Sequence, residues 1–195
     1  IMSIIVYDEN LLNSAKDFAI QKHKGQFRKG TKIPYIIHPY EVLKILQENG
    51  ADIKTQIAGL LHDTLEDTNT TVEEIEANFG SEVAELVKYE TEDKRKEYRD
   101  RKAEHMAKLK TAPLEAKMVN CADKLANLRS TWKECKIGDS FWERFNGSKQ
   151  DIAWYYGLAI DALQSLSGMP IYENLKDVYK VVFGDMKLNK GNEKL

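Results

Sequence analysis

The chain is predicted to be all-α, because only four prolines and eleven glycines interrupt its 195 residues and apolar residues recur at helical spacing through most of its length. Helix-start and helix-stop signals divide it into about eight to ten helices. With 42% hydrophobic residues and no repeat or linker, residues 1–195 read as a single helical bundle around one core.

The first helix is expected over about 10–24, where Leu11, Leu12, Ala15, Phe18 and Ala19 form one stripe and Gly25 follows as a stop. A loop then runs to Pro39, which suits the start of a second helix carrying Val42, Leu43, Ile45 and Leu46 until Asn49 and Gly50 end it. A third helix is expected over about 52–65. Thr70 or Thr71 with Glu73 or Glu74 reads as a capping box for a short helix that stops near Gly80, and Ser81 reads as the cap of the next, through Val83, Leu86 and Val87. The stretch from about 92 to 110 is dense in charge of both signs and reads as a largely solvated helix with some substrate-facing positions. Thr111 and Pro113 open a more apolar helix to about Trp132. Two amphipathic helices follow over about 141–166 and 170–183, and the Lys- and Asn-rich tail, 184–195, is expected to fray.

Twenty-nine basic residues nearly cancel 31 acidic ones, which argues against a nucleic-acid polymer or an anionic membrane as partner. No apolar run approaches the roughly 20 residues of a membrane-spanning helix. The opening Ile1-Met2-Ser3-Ile4-Ile5 soon meets Asp8 and Glu9 and lacks the pattern of a secretory signal. Cys121 and Cys135 are too few for a disulfide framework and lie at no metal-finger spacing. A soluble, cytoplasmic protein is expected, with a homodimer through the C-terminal helices left open.

The chemistry concentrates in His62-Asp63-Thr64-Leu65-Glu66-Asp67, directly after the apolar run Ile57-Ala58-Gly59-Leu60-Leu61. Carboxylates at the end of a buried helix carry a desolvation cost unless they are paired or bound to a cation. A divalent ion resolves this, with His62 offering a neutral nitrogen and Asp63 a hard oxygen. Further ligands are expected from His38, beside Pro39, and from Asp123, which interrupts an apolar helix containing Val119, Ala122, Leu125 and Leu128. Asn127 lies one turn beyond Asp123 and should line the pocket. Two nitrogens and two oxygens with open positions suit Mn, Fe, Zn or Ni better than Ca. Lys22, Lys24, Arg28, Lys29 and Lys32 precede His38 without an intervening acid, a local positive field suited to a small polyphosphate. His23 and His105 have no partner at ligand spacing and read as structural or exposed. Cys121 reads as a core residue, and Trp142, Phe145, Trp154, Tyr155 and Tyr156 as packing rather than a base-stacking platform.

From about Ala15 to Trp132 the sequence resembles the hydrolase domain of the RelA/SpoT homologue family, above all its small standalone alarmone hydrolases. The resemblance runs through Gly25-Gln26-Phe27-Arg28-Lys29, Pro34-Tyr35-Ile36-Ile37-His38-Pro39, His62-Asp63-Thr64-Leu65-Glu66-Asp67-Thr68 and Ala122-Asp123-Lys124-Leu125-Ala126-Asn127-Leu128. It implies a helical HD fold in which His38, His62, Asp63 and Asp123 hold one divalent ion, usually manganese in this family. Glu66 and Asp67 would handle the water and its protons, and Arg28, Lys29 and Asn127 would hold the nucleotide. The implied reaction removes pyrophosphate from the 3′ position of guanosine tetra- or pentaphosphate, leaving GDP or GTP. Two departures stand out: the loop containing Gly30-Thr31-Lys32-Ile33 is one residue longer than in the large bifunctional members, and Asn120-Cys121 replaces an expected Lys-Leu pair.

Alternatives within the same fold are hydrolysis of adenosine alarmones, of the 2′-phosphate of NADPH, or of nucleoside monophosphates. A non-catalytic nucleotide receptor is disfavoured by the intact Glu66-Asp67 pair, and a purely structural module has no use for the converging charged set.

Overall fold

The computed structural model describes residues 4–135, 139–145 and 147–184. In chain order the helices are α1 (Glu9–Lys22), α2 (Ile37–Glu48), α3 (Ile53–Leu61), α4 (Thr64–Asp67), α5 (Val72–Phe79), α6 (Ser81–Glu90), α7 (Tyr98–Lys110), α8 (Leu114–Cys135), α9 (Lys149–Ala162) and α10 (Pro170–Phe183), with 3₁₀ turns at Asp139–Arg144 and Gln164–Leu166. Among these residues the only β-type pairing is an isolated bridge between Phe27 and Pro34. None of the described helices is long and apolar enough to cross a membrane.

The starts of several helices follow from side chains that satisfy otherwise unpaired backbone N–H groups. Asp8 accepts from the Leu11 N–H, Asp52 from that of Thr55 and Thr71 from that of Glu74. Ser148 and Asp151 form a reciprocal capping box at α9. Ser81, expected as a cap, is instead the first residue of α6, and Gly80 makes the corner at φ 92°. A side chain there is disfavoured by the backbone alone, and an added Cβ would lie 2.8 Å from the Tyr7 hydroxyl.

Helix α8 is the axis of the molecule. It packs against α2, α3, α6 and α10, and every residue from Ala116 to Ala126 is buried. A helix buried all round must provide internally for each polar side chain it carries. Lys117 donates to the Ser165 hydroxyl at 2.9 Å, and Asn120 donates to Glu90 at 2.8 Å. The remaining two, Asp123 and Lys124, belong to the site described below.

The expected helix over 52–65 is broken. Helix α3 ends at Leu61, His62 and Asp63 form a turn, and α4 supplies one further helical turn. The Thr64 hydroxyl donates to the Leu61 carbonyl at 2.7 Å and His62 Nδ1 donates to that of Gly59 at 2.8 Å, so side chains take up carbonyls that an unbroken helix would have paired along its backbone. The charged stretch begins its helix only at Tyr98, because 91–97 forms turns tied down by Lys94 and Asp93. Instead of one helix over 141–166 there are a 3₁₀ turn, α9 and a second 3₁₀ turn. Residues 185–195 of the expected frayed tail lie outside the described residues.

At the α2–α3 contact, a Cβ on Gly59 would lie 2.3 Å from Leu46 Cδ1 and 3.3 Å from Val42 Cγ1. Overpacking a tight core costs about 1–3 kcal/mol. Gly59→Val is therefore expected to lower the urea midpoint at unchanged m-value, and to cost less in a Leu46→Ala background. Equal penalties in the two backgrounds would show that this contact is not tight.

Candidate metal centre

Three helices and one turn bring the polar groups together. His38 lies in the first turn of α2, His62 and Asp63 occupy the break after α3, and Asp123 projects from the middle of α8. His38 Nε2 is 3.0 Å from Asp123 Oδ1 and 3.3 Å from His62 Nε2, while His62 Nε2 is 2.8 Å from Asp63 Oδ2 and 3.5 Å from Asp123 Oδ1. Asp63 Oδ2 is 3.7 Å from His38 Nε2. His38, His62 and Asp123 are buried, and one ligand atom from each lies within 4.8 Å of the other two.

This donor set fits a divalent cation. The Nδ1–H of His62 is committed to the Gly59 carbonyl, which turns Nε2 toward the centre. Two imidazole Nε2 atoms facing each other beside two carboxylates make a poor arrangement for neutral hydrogen bonding and a good one for an ion between them. His38 Nδ1 is buried without a protein partner.

Electrostatics separate the two histidines. Burial lowers the pKa of His38, despite the opposing pull of Asp123, and favours its neutral form. Burial also acts to lower that of His62, but Asp63 and Asp123 outweigh it and hold the value well above the ordinary one. Burial acts to raise Asp63, yet its carboxyl sits below the usual range because His62 and His38 face it. Asp123 is also held low against burial, by Lys124 and both imidazoles.

A further set of side chains fixes the carboxylates. Tyr35 donates to Asp63 Oδ2 at 2.5 Å, and burial beside that carboxylate raises the phenol's pKa, so it remains a donor. Asn127 donates to Asp123 Oδ1 at 2.7 Å and Lys124 to Oδ2 at 2.6 Å. Arg28 in turn donates to Asn127 Oδ1 at 2.8 Å. The bridge between Phe27 and Pro34 closes the loop that carries Arg28, with the Arg28 N–H on the Ile33 carbonyl at 2.8 Å.

The centre opens into a polar cavity of about 180 Å³ lined by Glu66, Glu92, Lys102, His105 and Tyr155, among others. Lys94 bridges the two acids of α4, at 3.2 Å from Glu66 and 2.9 Å from Asp67. The Glu92 backbone N–H donates to Glu66 at 3.3 Å. Glu92 itself gathers Lys102 at 2.6 Å, Arg101 at 2.8 Å and His105 at 3.2 Å; burial raises its carboxyl, but His105 and Lys102 bring it down to about 2.

A second cavity of about 370 Å³ adjoins the first and shares Tyr35, Lys102, Asn127, Tyr155 and Tyr156 with it. Arg28 and Lys29 line it. Lys22, by contrast, pairs with Glu74 at 2.8 Å on α5, so the basic cluster does not act as a unit. Trp142, Phe145, Tyr155 and Tyr156, expected as packing, also line this cavity, and His105 is buried against Glu92 and the Tyr89 carbonyl. Sequence reasoning gave no role to Tyr35, Glu92, Lys102 or Lys124. Tyr35 and Lys124 sit inside the quoted motifs and could have been found there, whereas Glu92 and Lys102 carry no local signal.

Residues 15–138 match the family model for the HD domain. The chain is 41% identical, over 83% of its length and 87% of the relative's, to the guanosine-3′,5′-bis(diphosphate) 3′-pyrophosphohydrolase MESH1 of Xenopus tropicalis. It is 45% identical, over 62% of its length but only 18% of the relative's, to the guanosine-3′,5′-bis(diphosphate) 3′-pyrophosphohydrolase of Aquifex aeolicus. A solved structure described as a metazoan ortholog of SpoT that hydrolyzes ppGpp superposes with a TM-score of 0.76 at 26% identity, covering 92% of this chain and 99% of that one. The chain thus belongs to the HD-domain family, among the MESH1-like proteins related to RelA/SpoT hydrolase domains.

Proposed function

We infer that this chain is a metal-dependent 3′-pyrophosphohydrolase of guanosine tetra- and pentaphosphate, releasing pyrophosphate with GDP or GTP. The observation that carries the reading is the buried His38–His62–Asp123 group opening, through a polar cavity, into a cation-lined one. Relatives about 40% identical over most of the chain bear this activity in their names. The two free cysteines, one of them buried, fit action in the cytoplasm.

In this reading Asp63 joins His38, His62 and Asp123 as the fourth ligand, and the ion is manganese, as the family resemblance implies, from among the Mn, Fe, Zn and Ni that the mixed set suits. When bound, the ion would supply Lewis acidity toward the 3′ phosphate and its attacking water. Glu66, which lines the polar cavity, is suited to orient that water and accept its proton, while Lys94, itself paired with Asp67, holds the Glu66 carboxylate. The oxygen of water bonds to the phosphorus next to the ribose, the bond from that phosphorus to the 3′ oxygen breaks, and the 3′ oxygen takes up a proton. Pyrophosphate leaves carrying the oxygen of the water. Arg28, Lys29 and Asn127 hold the nucleotide, with Arg28 already oriented by its hydrogen bond to Asn127.

Protein stripped of metal should not turn over guanosine tetraphosphate, and added Mn should restore release of pyrophosphate and GDP together. His62→Ala and Asp123→Ala should abolish both metal binding, read by calorimetry, and turnover; a variant that turns over without metal would sink the scheme.

Glu66→Gln should lower kcat by on the order of a hundredfold while metal affinity stays within a few-fold. Loss of the metal instead would make Glu66 a ligand-positioning residue.

Metal affinity should rise with pH. His62, raised above its ordinary pKa, carries a proton over a wider range, and the ion must displace that proton to reach Nε2. Affinity therefore weakens as pH falls through the raised value. A pH-independent Kd across the neutral range would show that His62 binds no competing proton.

A further inference from the structure

Among the described residues, the 370 Å³ cavity is lined by five cationic side chains, Arg28, Lys29, Arg101, Lys102 and Arg144, and by a single acid, Glu134. A carboxylate opposes phosphate binding unless it faces the part of the ligand that carries no phosphate. Its place along α8 meets that condition. Asn127, Ser130, Thr131 and Glu134 follow Asp123 at helical spacing and all line the cavity. From Asp123 to Glu134 the helix rises about 16 Å, and the long Glu134 side chain leans back toward the helix N-terminus. The metal group and Glu134 thus bracket a space suited to a nucleoside with its 3′ phosphates at one end and its base at the other.

Two features prepare that far end for a base. Phe141, Trp142 and Phe145 form an aromatic group on the cavity wall, with the Phe141 ring 5.2 Å from that of Trp142 and 5.1 Å from that of Phe145. Bases stack on such rings whatever their identity, so discrimination needs a polar group beside them. Glu134 is held in place through one oxygen, Oε2, by Arg144 Nη1 at 3.0 Å. The Arg144 stem lies against Gly30, where an added Cβ would come within 2.9 Å of its Cδ. The acid is therefore fixed between the 3₁₀ turn and the loop that carries Arg28 and Lys29.

We propose that Glu134 is a specificity-determining residue that selects guanine by accepting hydrogen bonds from N1–H and the exocyclic N2 amine. A carboxylate offers only acceptors, and guanine presents two adjacent donors on this edge. Adenine presents an acceptor at N1 and would meet the carboxylate with repulsion. The proposal rests on the guanosine reading of the site, and its test separates the two.

Equilibrium binding of GDP, IDP and ADP is measured for the wild type, Glu134→Gln and Glu134→Asp, beside hydrolysis of guanosine and adenosine 3′,5′-bis(diphosphate). The wild type should bind GDP on the order of tenfold or more better than ADP, with IDP, which lacks the exocyclic amine, between them. Glu134→Gln should collapse that ratio, and Glu134→Asp should keep its order. A GDP:ADP ratio unchanged in Glu134→Gln, or absent from the wild type, would overturn the proposal and leave Glu134 as a partner of Arg144 alone. A wild type that prefers GDP through Glu134 but hydrolyses neither bis(diphosphate) would overturn the reaction and leave the base selectivity standing.

Discussion

The burial of Asp123 is the constraint on which the rest of the structure depends. A carboxylate in the middle of a helix covered on all sides is costly unless its charge is met. Here both oxygens are engaged: Oδ1 faces His38, His62 and Asn127, and Oδ2 takes Lys124. Each partner has its own reason to be where it is. His38 requires α2 to begin beside α8, and His62 requires α3 to stop at Leu61 instead of continuing. The helices that supply the core are thus also those whose ends define the site.

From that centre a chain of hydrogen bonds, joined by one ring contact, reaches the surface loop. Tyr35 holds Asp63, its ring lies 4.9 Å from that of His23, His23 meets Gln26 at 2.7 Å, and Gln26 donates to the Asp67 carbonyl at 2.7 Å. The loop bearing Arg28 is therefore tied to α4 as well as to α8. Cations for a polyanion are useful only if they are already placed when it arrives, because ordering long side chains on binding would offset part of the gain.

Much of this was legible in the sequence, for a physical reason. His38, His62, Asp63 and Asp123 stand out because charged and imidazole side chains interrupt apolar helical pattern, and that conflict is visible without coordinates. Helical periodicity likewise marked α1, α2, α5, α8 and α10 closely. The break at His62–Asp63 was not visible, since it comes from side chains capping local carbonyls that periodicity does not register. The roles of Glu92 and Lys102 were hidden because they arise where α7 packs against α6 and α9, and residues on a charged helix look alike until their neighbours are known. That several of the aromatics line a cavity was hidden for a related reason, since a ring in a core and a ring on a cavity wall have the same local sequence signature.

Because Asp123, Asn127, Ser130, Thr131 and Glu134 ride on one uninterrupted rod, the distance and the angle between them cannot be adjusted separately. Inserting or deleting a single residue between the first and the last would turn everything beyond it by about 100°, carrying those side chains off the cavity wall. Drift in this stretch is thus confined to exchanges of one residue for another at fixed length. Changes in the length of the ligand would have to be accommodated by the loop and the 3₁₀ turn facing the rod, as on a caliper whose fixed jaw is α8.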